Sequence, residues 1–186
     1  MNRYKLQTSV EIKGVVCEFN SDFRDILEIF SILNEPNLLE FERIALSLQH
    51  FYKTDDYKID MNLSIKEMLS FITMNDVTED TKAPKNKKPL YDWEQDYNLI
   101  VAPINKIVGY DVRGTEYMHW WTFLSAFMEI GESTFSTYVA IRDKLNRGKK
   151  LDKHEERILR DNRDSIIIKS KVDDGTQELL NEIMGV

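Results

Sequence analysis

One cysteine, Cys17, stands in 186 residues, so no internal disulfide can form and no cysteine-based metal cluster can be built. That usage fits a reducing compartment. Glycine (7) and proline (4) are also scarce, which excludes collagen-like and low-complexity architectures. Long apolar runs are missing: the most hydrophobic stretch, Trp120 to Met128, falls well short of the roughly 20 residues a spanning helix needs. Met1-Asn2-Arg3-Tyr4-Lys5-Leu6 lacks the apolar core of a signal peptide, so a soluble, unexported protein is expected. The chain has no G-x-S-x-G elbow, no phosphate-binding P-loop, no G-x-G-x-x-G and no H-E-x-x-H. The expectation is a non-enzymatic protein with no catalytic residue, no metal ligands and no cofactor.

What is present is a globular composition, with 42% hydrophobic and 31% charged residues. The 32 acidic against 25 basic side chains give a net charge of −7, which argues against a dedicated binder of phosphate backbones.

From Thr8 to Phe19 the residues alternate about Lys13-Gly14, the pattern of a small hairpin. The period then becomes helical. Phe23, Ile26, Leu27, Phe30 and Leu33 form one stripe behind a Ser21 cap and before Pro36. A second stripe, Phe41, Ile44, Ala45, Leu48, Phe51 and Tyr52, follows an Asn37 to Glu40 capping box, and Ser64 to Glu67 is a second such box opening a third helix. Between Asn75 and Pro89 the polar, proline-containing run reads as a linker. Residues 1–74 then form an N-terminal part and residues 90–186 a C-terminal helical region.

In that second region Asp92 caps a helix carrying Trp93, Tyr97, Ile100, Ile104 and Ile107, which Pro103 kinks or interrupts. The most buried helix is expected from about Glu116 to Ile130, with Tyr117, Trp121, Leu124 and Met128 beside Trp120, Phe123, Phe127 and Ile130. Ser133 opens another helix, bearing Phe135, Val139, Arg142 and Leu145. Asp152 caps a charged one that continues toward Ile166. The fold class expected is mainly α, a helical bundle with a small N-terminal β-hairpin.

Three segments carry a family resemblance: FNSDFRDILEIF from Phe19, LYDWEQD from Leu90, and GYDVRGTEYMHWWTFLSAFMEIGESTFS from Gly109. Together they make the chain, over roughly Thr8 to Lys169, similar to the bacteriophage gene-product-fifteen family. The resemblance implies a place among the tail genes of long-tailed phages and prophages of Gram-positive bacteria. It implies a gene between those of the major tail protein and the tape-measure protein, in the neighbourhood where tail assembly chaperones are found. It implies phage tail proteins as partners and the host cytoplasm, or the virion tail, as the location. It supplies no catalytic residues.

The motif residues Asp92, Trp93, Asp96, His119, Trp120 and Trp121 are read as structural. Two adjacent tryptophans can form an interface hot spot, but at helical spacing beside Leu124, Phe127 and Met128 a core role is favoured. His119 has no second histidine at ligand spacing, so it is expected to satisfy a buried hydrogen bond. Asp92 and Asp96 share a helix face, and capping or an ion pair with a basic neighbour is favoured over acid-base chemistry.

Segment 142–171 holds 11 basic and 6 acidic residues. Lys149, Lys150, Lys153, Arg157 and Arg160 make a possible basic surface. Interleaved acids and the absence of aromatic platforms favour a solvated face over nucleic-acid binding. Leu179, Leu180, Ile183 and Met184 form an apolar stripe near the end of the sequence, too short to be stable alone. It is the expected partner-binding element, whether for self-association or for a client.

Overall fold

Hairpin, helices and loops were located in a computed structural model that describes residues 5–74 and 88–169. Residues 75–87 of the linker expected at 75–89, and the stripe Leu179, Leu180, Ile183 and Met184, lie outside the described residues. Strands β1 (Ser9–Ile12) and β2 (Val15–Glu18) pair antiparallel, with Val10 opposite Cys17 and Ile12 opposite Val15. Lys13 (φ 49°) and Gly14 (φ 83°) both take positive φ, as a twist-matched two-residue turn demands.

Among the described residues eight α-helices follow: α1 (Phe23–Leu33), α2 (Glu40–Phe51), α3 (Met61–Ile72), α4 (Tyr97–Val108), α5 (Trp120–Met128), α6 (Thr134–Asn146), α7 (Lys153–Asp161) and α8 (Arg163–Ile166). The protein is mainly α with a small N-terminal hairpin.

The chain forms two units. The described part of the first comprises residues 5–74 and 117–123; that of the second comprises 88–116 and 124–169. The boundary falls inside α5.

In the first unit α1 packs on α2, and α2 on α3. Aromatic rings fill its centre: Phe19 stacks on Phe51 and Phe23 on Phe123, with ring centroids 4.6 and 4.4 Å apart.

Several local expectations are corrected here. Asp22, not Ser21, caps α1: its carboxylate accepts the Arg24 N–H at 2.9 Å, while the Ser21 hydroxyl bonds Tyr117 Oη at 2.8 Å. Ile29 is buried in place of Leu27. Asp60 caps α3, four residues earlier than expected, by accepting the Leu63 N–H. Ser64 lies inside that helix, fully buried, its hydroxyl donating to the carbonyls of Tyr57 and Asp60.

At α2 the Asn37 amide is drawn to Glu35 instead, and Glu42 accepts the Leu39 N–H. The whole of α2 is also turned by roughly 90° from the phase read in the sequence. Its buried side chains are Arg43, Ser47, Leu48 and Phe51, whereas Phe41 and Ala45 face solvent. The rotation is set at the helix end, where Asn20 N–H donates to Phe51 O, Lys53 N–H donates to Glu18 O, and Phe51 lies on Phe19.

In the second unit α6 packs against α4 and α8. Tyr138, Ile141 and Ile166 form its buried cluster, with Leu99, Leu151, Ile158 and Leu159 packed around them. Helix α4 begins at Tyr97 rather than at the Asp92 box, continues through Pro103, and ends at Gly109 (φ 84°). Ser133 and Ser136 cap α6 reciprocally, and Asp152 caps α7 by accepting the His154 and Glu155 N–H groups. The charged helix stops at Asp161 instead of continuing to Ile166, and α8 resumes after Asn162.

Candidate functional site

Residues 117–119 do not begin a helix as expected, because segment 21–23 takes their backbone. Phe23 N–H donates to Met118 O at 2.9 Å, Trp120 N–H to Ser21 O at 2.7 Å, and Met118 N–H to the Asp22 carboxylate at 2.9 Å. One aspartate therefore caps α1 and also holds a strand-like segment 96 positions away. Extended geometry up to His119 forces α5 to start at Trp120.

His119 then serves as the cap of α5. The Trp121 N–H can only donate, so Nδ1, 3.0 Å away, is the acceptor; Gln7 O can only accept, so Nε2, 2.8 Å away, carries the proton. This fixes a neutral tautomer. Burial pushes the imidazole pKa below its ordinary value, partly opposed by the bond to Gln7.

The two tryptophans point their N–H groups at the end of α3: Trp120 to Ile72 O and Trp121 to Phe71 O, both at 2.8 Å. Trp120 is buried, whereas Trp121 is half-buried against the Phe71 ring. The expected stripe through Tyr117, Trp121, Leu124 and Met128 is thus the more open side of this segment. Tyr117 and Met128 are exposed, and Trp120, Phe123 and Ala126 face inward.

LYDWEQD is equally committed within the second unit. Asp92 accepts the Glu94 and Gln95 N–H groups, and Trp93 packs on Phe127 at 4.7 Å. The Asp96 carboxylate is fully buried and meets Arg142, itself 4% exposed, in a bidentate pair at 2.6 and 2.9 Å. All five guanidinium donors are used, the other three reaching the carbonyls of Ile166, Leu90 and Ser165. Asp96 also accepts the Asp92 N–H at 3.0 Å. A network of this kind orders the chain segments that it ties together.

Arg142 opens the basic segment in sequence but is a core residue in the fold. Its place in a stripe with Phe135 and Tyr138 is the signal for that. Lys149, Lys150, Lys153, Arg157 and Arg160 are exposed. Basic neighbours are locally neutralised: Lys144 meets Glu155 at 2.5 Å, Arg147 meets Asp143 at 2.8 Å, and Arg160 meets Asp161 at 3.1 Å. Cys17 is buried in the hairpin, and burial raises its thiol pKa, which disfavours the thiolate.

The three segments quoted above thus converge on two structural knots, one in each unit. The model of the Bacteriophage Gp15 protein family matches residues 3–166. The chain belongs to this family. That match spans both units, so the family pattern covers the Asp22–His119 knot and the Asp96–Arg142 knot alike. No curated protein and no solved structure matches the chain. No helix among the described residues is long and apolar enough to cross a membrane.

One feature escaped the sequence reading. On α2 the apolar side chains Phe41 (67% exposed) and Leu46 (40%) stand in solvent next to Leu39 (62%), while Arg43 is buried. The signal was an apolar residue on nearly every side of the helix, a pattern with one face too many for a surface helix.

Proposed function

We propose that this phage protein works by binding rather than catalysis, as a tail assembly factor or chaperone. Its clients would be the apolar helical tape-measure protein or tail-tube components, held in the host cytoplasm before the tube polymerises. One contrast supports this reading. Asp22, Asp96 and His119 of the family segments are committed to internal hydrogen bonds, whereas apolar side chains of α2 are left in water. A long helical client exposes an apolar face that must be covered, and apolar helix faces do this.

Co-expression with the neighbouring tail proteins, followed by affinity capture, tests it. The expected result is co-purification with the tape-measure or tube protein and absence from purified virions. A fixed copy number in virions makes the chain a minor structural component instead. Salt-dependent retention on DNA replaces both readings with a nucleic-acid module.

A further inference from the structure

The outer face of α2 is the least explained surface of the first unit. Leu39, Phe41, Ala45 and Leu46 all face solvent there. Their exposed area is on the order of a few hundred Å², which is the size of a functional patch but small for a stable dimer interface. The charges at its N-terminal end have one sign. From residue 34 to 50 the ionised side chains other than the buried Arg43 are Glu35, Glu40 and Glu42. At the other end of α2, His50 faces Asp25 of α1 at 3.7 Å, and Arg24 is held by Asp22. A second copy laid on this patch about a two-fold axis would oppose Glu40 and Glu42 to their own equivalents. The basic face of α7 offers a copy no better match, since Ile158 and Leu159 are packed at home.

We infer that this patch docks an amphipathic helix of another protein, one whose apolar stripe is flanked by lysine or arginine. The inference rests on the binding reading above and names its surface and the chemistry of its partner. Phe41 supplies the anchor, since a large aromatic ring covers the most area at low entropic cost. Ala45, one turn on from Phe41, continues the apolar contact along the helix, Leu39 and Leu46 widen the exposed apolar surface, and Glu35 and Glu40 select against acidic partners.

The test uses the full chain and two synthetic helical peptides with the same leucine stripe, one flanked by lysines and one by glutamates. Binding is read by fluorescence anisotropy at two salt concentrations. The lysine-flanked peptide is expected to bind at least about tenfold more tightly, with the gap narrowing in high salt. Phe41→Ser should weaken it about tenfold, with the melting temperature and the sedimentation coefficient unchanged, and Glu40→Lys about threefold, with a slightly lower melting temperature because a cation replaces an acid in the first turn of α2.

Equal binding of the two peptides, or binding indifferent to Phe41→Ser, overturns the inference. So does a Phe41→Ser variant that melts several degrees lower, which would place the ring under another part of this chain. A Phe41→Ser variant that turns a dimer into a monomer would make the occupant a second copy. Co-purification with tail proteins that survives Phe41→Ser sinks this surface and leaves the chaperone reading standing. Loss of co-purification in the wild type alone sinks the chaperone reading and leaves the peptide result intact.

Discussion

Replacing Arg142 by alanine would strand a fully buried Asp96 carboxylate and release three carbonyls from their donor. Breaking one side of such a pair costs about 3–5 kcal/mol, so urea denaturation should show a loss of that order. Arg142→Met combined with Asp96→Leu should cost clearly less than the two single changes added together, because no unpaired charge remains. Arg142→Lys should behave almost as badly as alanine, since an ammonium cannot reach five acceptors in a planar fork.

At His119 the sign of the pH effect follows from the neutral tautomer. The folded-state pKa lies below the unfolded value of about 6.5, so the unfolded chain binds more protons and stability rises with pH through that window. The contribution is complete above about 6.5 and is lost as pH falls through the lowered folded-state value. Denaturant midpoints measured from pH 7.5 downward should therefore decline more steeply in the wild type than in His119→Asn, which keeps a capping acceptor without a titrating ring. The tryptophans separate in the same way: Trp120→Ala should cost about 3–5 kcal/mol, and Trp121→Ala, half-exposed, measurably less.

Elements were legible in the sequence where their ends are local. The hairpin register, the Gly109 end of α4, and the Ser133 and Asp152 caps all follow from residues within one turn of the feature. Misreadings arose where a distant segment decides. Asp22 rather than Ser21 caps α1 because Ser21 is committed to Tyr117. Residues 117–119 are extended because segment 21–23 pairs with them, and no local signal near Glu116 announces this.

Helix α2 is the plainest case: periodicity identified a helix but not which face turns inward, since its rotation is fixed by Phe51 on Phe19. Leu48→Ala, fully buried on the inner face of α2, should cost about 2–5 kcal/mol, whereas Ala45→Ser on the outer face should leave the stability within about 0.5 kcal/mol of the wild type. The candidate surface was therefore out of reach of pattern reading. Two apolar faces on one helix compete, and only the tertiary anchors show which is left over. At the hairpin turn, Lys13 holds φ 49° at a penalty that asparagine avoids. Lys13→Asn should raise stability by a few tenths of a kcal/mol, net of the exposed pairing with Asp60, as read by thermal melting.

For the molecule as a whole, charge separates binding to nucleic acid from binding to protein. A net charge of −7 surrounds the exposed lysines and arginines of 149–160, several of whose neighbours are paired with acids. Counterion release needs a cluster of free cations facing one phosphate track. The protein is accordingly expected to elute from heparin below about 0.15 M salt, and retention above it would reinstate the basic segment as a working surface.

The division of the chain also sets an order of events during synthesis. Residues 117–123 belong to the first unit and supply Phe123 to Phe23, Trp120 to the end of α3 and the partner of the Asp22 carboxylate. A ribosome that has just finished Met74 must add 49 more residues before these groups exist. At roughly 5–20 residues per second the wait lasts on the order of several seconds. During it the nascent first unit lacks its last strand-like segment and leaves the Phe23 ring without its cover. A chain stalled before Tyr117 should be degraded by added protease from within its first 74 residues, and one stalled some 40 residues beyond Phe123, clear of the exit tunnel, should resist it.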